Sequence, residues 1–167
     1  MENSTLTEQD RAHLRHCVTL AREALAAGDE PFGSVLVDAS GAVVHADRNR
    51  IADGDPTAHP ELALVRWSIA HMSPRVRARS TVYTSGEHCP MCAAAHAWAG
   101  LGRIVYAASS AQLGQWLDSW GLPAPPVQGL SITTVAPSVP VAGPDDRLSA
   151  EVRLLHARLH GIEGAEL

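Results

Sequence analysis

Lysine is absent from this 167-residue chain, and phenylalanine (one), tyrosine (two) and cysteine (three) are scarce. Arginine alone carries the positive charge, 13 residues against 18 acidic ones, for a formal net charge of −5. That balance speaks against a constitutive binder of nucleic acid or of an anionic membrane. No uninterrupted apolar run approaches the about 20 residues a membrane helix needs. The opening MENSTLTEQDR lacks the basic-then-apolar pattern of a secretion signal, so the expectation is a cytoplasmic protein with no membrane partner. Three cysteines are an odd count without a framework of spaced pairs, which excludes a disulfide scaffold. Histidine, by contrast, is abundant at nine residues, and it directs attention to metal or redox chemistry. With 46% hydrophobic and 19% charged residues, the chain reads as one folded domain over residues 1–167.

Apolar residues Leu14, Cys17, Val18, Ala21 and Leu25 recur at helical spacing from Thr7 to Ala27, with Thr7 and Asp10 placed as a capping pair and Gly28 as a stop. Cys17 lies on that apolar face and reads as a small buried hydrophobe. Val-rich runs at Phe32–Asp38 and Ala42–Asp47, joined by Ala39-Ser40-Gly41, predict an antiparallel hairpin. A second helix opens at His59-Pro60 and stops before Pro74. Strand, Ala-rich helix and strand then follow at Thr81–Ser85, Met91–Leu101 and Ile104–Ala108, the arrangement of a parallel pair. Beyond them the pattern predicts a short helix over Ala111–Trp120, a loop from Gly121 to Gly129, a strand over Leu130–Val135, and a last helix over Asp145–His160 with Leu148, Val152, Leu155 and Leu159 inward. The expected fold is α/β, three-layer α/β/α, with a central mixed five-stranded sheet.

Two chemically loaded segments open helices: His59-Pro60-Glu61 and, thirty residues on from His59, Cys89-Pro90-Met91-Cys92. A Cys-x-x-Cys pair at a helix N-terminus is compatible with a thiol redox couple, because the helix dipole lowers thiol pKa. Taken together, one imidazole and two thiolates are a ligand set for catalytic zinc that leaves the fourth tetrahedral position to water. Residues two apart on a regular helix point about 200° apart. His59 and Glu61 must therefore flank the metal where the helix starts, with Glu61 as the candidate base. A zinc-stabilised binding module also remains open at this point. His-x-Glu followed by Cys-x-x-Cys is the pattern of zinc nucleobase deaminases, in which the glutamate shuttles protons and is not a ligand.

Over about residues 29–110 the chain resembles the cytidine deaminase-like superfamily, in its guanine deaminase and tRNA adenosine deaminase branch, nearer guanine deaminase. The segments that carry the resemblance are Glu30-Pro31-Phe32-Gly33, Asn49, Asp55-Pro56-Thr57-Ala58-His59-Pro60-Glu61 and Tyr83-Thr84-Ser85-Gly86-Glu87-His88-Cys89-Pro90-Met91-Cys92. It implies one Zn2+ per chain on His59, Cys89 and Cys92, proton transfer by Glu61, and substrate binding by Asn49, Phe32, Trp98, Asp118 and His88. It also implies a homodimer in which a C-terminal segment, about 111–167, packs on or swaps with a neighbouring subunit. Two positions depart from the family pattern. His88 stands where proline usually precedes the first cysteine, and Pro60 replaces an alanine whose amide can donate to the base.

The implied activity is hydrolytic deamination of a small free heterocyclic base, of guanine, cytosine or aminotriazine type, with tRNA adenosine deamination as the alternative. From Asp145 to Leu167 five acids (Asp145, Asp146, Glu151, Glu163, Glu166) face three arginines, whereas a tRNA-binding tail would be basic. Arg75, Arg77 and Arg79 read as a solvated loop. His96 is expected to pack on its helix, and His13, His16, His45, His71, His156 and His160 to lie at the surface.

Overall fold

A computed structural model of the chain describes residues 6 to 163. Thr7 caps the first helix, α1 (Glu8–Ala26), as a reciprocal box: its hydroxyl accepts from the Asp10 amide and the Asp10 carboxylate accepts from the Thr7 amide. Strands β1 (Gly33–Val37) and β2 (Val43–Arg48) form the hairpin. Helix α2 (Pro60–His71) and the short α3 (Pro74–Arg77) lead to β3 (Thr81–Gly86), α4 (Pro90–Ala99) and β4 (Arg103–Ala108). Helices α5 (Ser110–Ser119) and α6 (Ile132–Val135), strand β5 (Val141–Ala142) and helix α7 (Asp146–Leu159) complete the order.

The five strands line up as β2-β1-β3-β4-β5. β1 is antiparallel to both its neighbours, while β4 is parallel to β3 and β5, so the sheet is mixed. Side chains alternate between its faces. Val35, Val37, Tyr83 and Val105 pack with Leu14, Cys17 and Val18 of α1 and Leu148, Val152 and Leu155 of α7. Leu36 and Val82 pack with Leu64 and Val65 of α2 on the other face, and Ile104 packs there with Ala93 of α4 and Ile132 of α6. The three-layer expectation is met.

Gly33 is where α1 comes closest to the sheet. A Cβ at that position would lie 2.5 Å from the Cys17 carbonyl and 2.8 Å from the Ala21 nitrogen, so only glycine lets the helix backbone rest against β1. Below it, Asp10 is buried and accepts from the Tyr83 hydroxyl and from Arg103 Nη1, each at 2.9 Å, which pins the start of α1 to β3 and β4.

Three expectations are corrected. Leu130–Val135 is not a strand, because Ser131 caps a helical turn through the Thr134 amide and the Glu87 carboxylate takes the Ile132 amide at 2.9 Å. The fifth strand forms instead at Val141–Ala142, on the open edge of β4. Arg77 is not solvated: its Nε donates to the Ala99 carbonyl at 2.7 Å and its Nη1 to the Met72 carbonyl at 2.8 Å, tying α3 to both flanking helices. His156 is buried, because the inward face of α7 runs 148, 152, 155, 156 and is wide enough to include it. Among the described residues no helix is long and apolar enough to cross a membrane. Glu166 lies outside the described residues.

Candidate active site

Three chain segments converge at the carboxyl end of β3: the end of β2, the start of α2 and the start of α4. His59 is the N-cap of α2, in extended conformation (φ −83°, ψ 141°), and Glu61 lies in the first turn behind Pro60. The extended cap breaks helical geometry between the two residues, which lets both face one point. Cys89 is likewise the extended N-cap of α4, with Cys92 in its first turn. Both cap positions place their side chains at the positive ends of helix dipoles.

His59 Nδ1 stands 3.7 Å from Cys89 Sγ and 3.7 Å from Cys92 Sγ, and one donor atom from each of the three residues lies within 4.8 Å of the others. With Zn–S near 2.3 Å and Zn–N near 2.0 Å, a tetrahedral ion places its nitrogen and sulfur ligands about 3.5 Å apart. The donor set therefore fits zinc in both chemistry and spacing, and these three residues could hold one ion. A hydrogen bond from Cys92 draws Cys89 below the usual thiol range, whereas that shared bond and burial push Cys92 up. Cys89 also raises the pKa of His59, against the effect of its burial.

Glu61 is buried beside this triad, and burial raises its pKa above the usual glutamate value. Its Oε1 accepts from the Thr84 hydroxyl at 3.0 Å, and the Ser34 hydroxyl donates to Thr84 Oγ1 at 2.9 Å. This polar relay on the α2 side of the sheet was not anticipated. Its signal was present in the sequence, as hydroxyl residues at Ser34 and Thr84 within otherwise apolar strands.

Asn49 is fully buried just after β2; its Oδ1 takes the Ile51 amide at 3.1 Å, and its Nδ2 is sealed from solvent without a partner in the structure. Phe32 is joined to the same region, because its carbonyl accepts the Asn49 amide at 3.0 Å and its ring would lie 2.9 Å from a Cβ on Gly86. His88 is buried one residue before Cys89, edge-on to His96 at 5.5 Å, and both its ring nitrogens are sealed and unpartnered. His96 packs within α4 as expected, with Nε2 on the Gly102 carbonyl at 2.8 Å.

Two expected substrate residues stand apart. Trp98 is 91% exposed. Six residues on from Cys92 the helix has turned about 240°, so Trp98 faces away from the ligand side of α4. Asp118 is exposed in the last turn of α5. Neither is brought to the Glu61 side of its own chain, since both are on outward helix faces.

Residues 7–108 match the family model described as the cytidine and deoxycytidylate deaminase zinc-binding region. The chain is similar to a probable cytosine deaminase of Schizosaccharomyces pombe, 34% identical over 113 residues that cover 68% of each protein. It is also similar to the guanine deaminase of Bacillus subtilis, 36% identical over 96 residues, or 57% of this chain and 62% of that one. The match thus spans about two thirds of those relatives' length. A solved structure of guanine deaminase from Nitrosomonas europaea shares the fold with a TM-score of 0.68 at 19% identity, over 94% of this chain and 86% of that one. Since the matched region holds both helix-capping motifs, the chain belongs to the cytidine and deoxycytidylate deaminase family and carries that family's zinc-dependent deaminase domain.

Proposed function

We propose that this domain hydrolyses the exocyclic amine of a small free heterocyclic base, of guanine, cytosine or aminotriazine type, to a carbonyl with release of ammonia. One observation carries the reading: a buried carboxyl, Glu61, fixed by Thr84, shares its end of the sheet with the His59, Cys89 and Cys92 triad and with the unpartnered amide of Asn49. Zinc on that triad supplies a Lewis acid that makes water a competent nucleophile at neutral pH. Glu61 takes the proton of the attacking water on a carboxylate oxygen, hands it to a ring nitrogen, and then helps protonate the departing amine. Burial disfavours the ionised form of Glu61 and so favours its holding the proton that it must later return.

Asn49 Nδ2 donates to the base, since a sealed amide hydrogen without a protein partner is otherwise costly. Phe32 gives an apolar wall, and His88 lies behind the ligand loop. Pro60 contributes no amide hydrogen beside Glu61, so the substrate edge at that point is read by side chains. The acidic C-terminal segment favours a small substrate over tRNA.

Ammonia release measured across guanine, cytosine, adenine, 5-azacytosine, ammeline, the matching nucleosides and a tRNA tests the assignment. The expected result is turnover of at least one free base, with the nucleosides and tRNA slower by tenfold or more. Turnover of tRNA alone, or of nothing in the panel, overturns it.

A further inference from the structure

Asn49 spends every polar group but one on its own chain. Its amide donates to the Phe32 carbonyl at 3.0 Å, its carbonyl accepts from Arg48 Nη1 at 2.9 Å, and its Oδ1 takes the Ile51 amide at 3.1 Å. Nδ2 is left, sealed from solvent and without a partner among the described residues. Such a donor reads a ligand only if the turn that carries it is held still. The short 3-10 turn at Ile51–Asp53, directly after it, buries none of its residues, so packing does not hold it. A carboxylate does. Asp29 is buried, and it accepts from Arg48 Nη1 on Oδ2 and from the Ala52 amide on Oδ1, each at 2.8 Å. Arg48 immediately precedes Asn49 and Ala52 lies just beyond Ile51, so the chain on both sides of Asn49 hangs from one side chain. Asp29 is itself tied to the end of α1, where its amide donates to the Ala24 carbonyl at 2.9 Å. One nitrogen, Arg48 Nη1, thus joins the Asp29 carboxylate to the Asn49 carbonyl. A buried carboxylate–guanidinium pair adds little net stability, because desolvation of both charges offsets their attraction. What it does fix is geometry.

We propose that Asp29 and Arg48 are positioning residues for the Asn49 amide: their ion pair holds the 48–52 turn so that Nδ2 meets the edge of the substrate base. The assignment rests on the free-base reading above, in which Nδ2 donates to that base. Neither Asp29 nor Arg48 touches the substrate. Without the pair, the Ala52 amide and the Asn49 carbonyl lose their partners, and the turn samples orientations in which Nδ2 misses the base. Because both residues act through Asn49, their effect on binding vanishes once the Asn49 amide is gone.

The test is calorimetric binding of guanine and of cytosine to zinc-loaded protein carrying Glu61→Gln, with further substitutions at positions 29, 48 and 49. Asn49→Ala is expected to weaken binding of the accepted base about tenfold, the effect of one lost hydrogen bond. Asp29→Asn sets an amide donor against Arg48 Nη1, and Arg48→Met removes both Nη1 bonds. Each is expected to weaken binding about fivefold or more, and by no more than Asn49→Ala does. Arg48→Lys keeps one charged nitrogen with donors for both acceptors and should recover to within about twofold of the parent. In the Asn49→Ala background, Asp29→Asn should change affinity by less than about twofold, the non-additivity of groups that act as one. In the otherwise native enzyme, KM should rise as affinity falls while kcat stays within about twofold. A purely structural pair would lower the melting temperature and either leave affinity alone or weaken it equally in both backgrounds; either result overturns the assignment by itself. Should Asp29→Asn not fold, the contrast between Arg48→Met and Arg48→Lys decides, and equal affinity in those two overturns it. Asn49→Ala that binds as tightly as the parent removes Asn49 from base recognition, and this proposal with it. Protein with Glu61→Gln alone that binds neither base overturns the free-base reading itself.

Discussion

Replacing Glu61 with glutamine lowers the rate of ammonia release about 10³-fold, the scale of a lost general acid–base group, and leaves zinc content and fold as in the parent. The side chains are isosteric, and the Thr84 hydroxyl that bonds Oε1 at 3.0 Å can still donate to the glutamine carbonyl oxygen. What disappears is the capacity to take a proton from water and return it to the amine. Stability is expected to hold or rise, because glutamine removes a carboxyl whose ionised form is disfavoured by burial. Ammonia assay, metal analysis and thermal melting on one preparation check this. A variant that kept more than about a tenth of the parent rate would show that proton transfer does not pass through Glu61.

Cysteine substitutions separate the ligands from the core. Cys92→Ala and Cys89→Ala are each expected to drop zinc below about a tenth of the parent content on dialysis, since two protein ligands hold zinc far less tightly than three, and to abolish turnover. Cys17→Ala serves as the control. That thiol is fully buried among Leu14, Val18 and Val35, and burial holds it protonated, so its removal leaves a small cavity and full metal content. Metal analysis of the three variants decides the matter. Equal loss in Cys17→Ala would point to general unfolding as the cause, whereas full metal in Cys92→Ala would remove that residue from the site.

The parts of this site that were legible in the sequence are those written in local chemistry. Thr7 and Asp10 announced the start of α1, and Pro60 that of α2, because caps and first-turn prolines act within three or four residues. The separation of His59 and Glu61 forced the histidine out of the helix, and the structure places it at the extended cap. What escaped was set by distant partners. Ile132–Val135 has the β-branched composition of a strand, yet the Glu87 carboxylate, more than forty residues away, receives its first amide and favours a turn of helix. Two residues at Val141–Ala142 carry little strand signal of their own and pair because β4 offers an open edge. Trp98 was placed by resemblance, although simple counting along α4 turns it outward. A lone histidine such as His156 reads as a surface residue, and its burial follows from the breadth of the α7 contact with β4 and α1.

The central claim is that deamination by this chain depends on one zinc held by His59, Cys89 and Cys92. Metal content and ammonia release, measured on the same protein before chelation, after exhaustive dialysis against chelator and after return of zinc, test it most directly. About one zinc per chain is expected at the start, with turnover lost on chelation and restored by about one equivalent of zinc. Metal-free protein that released ammonia at the parent rate would contradict the account.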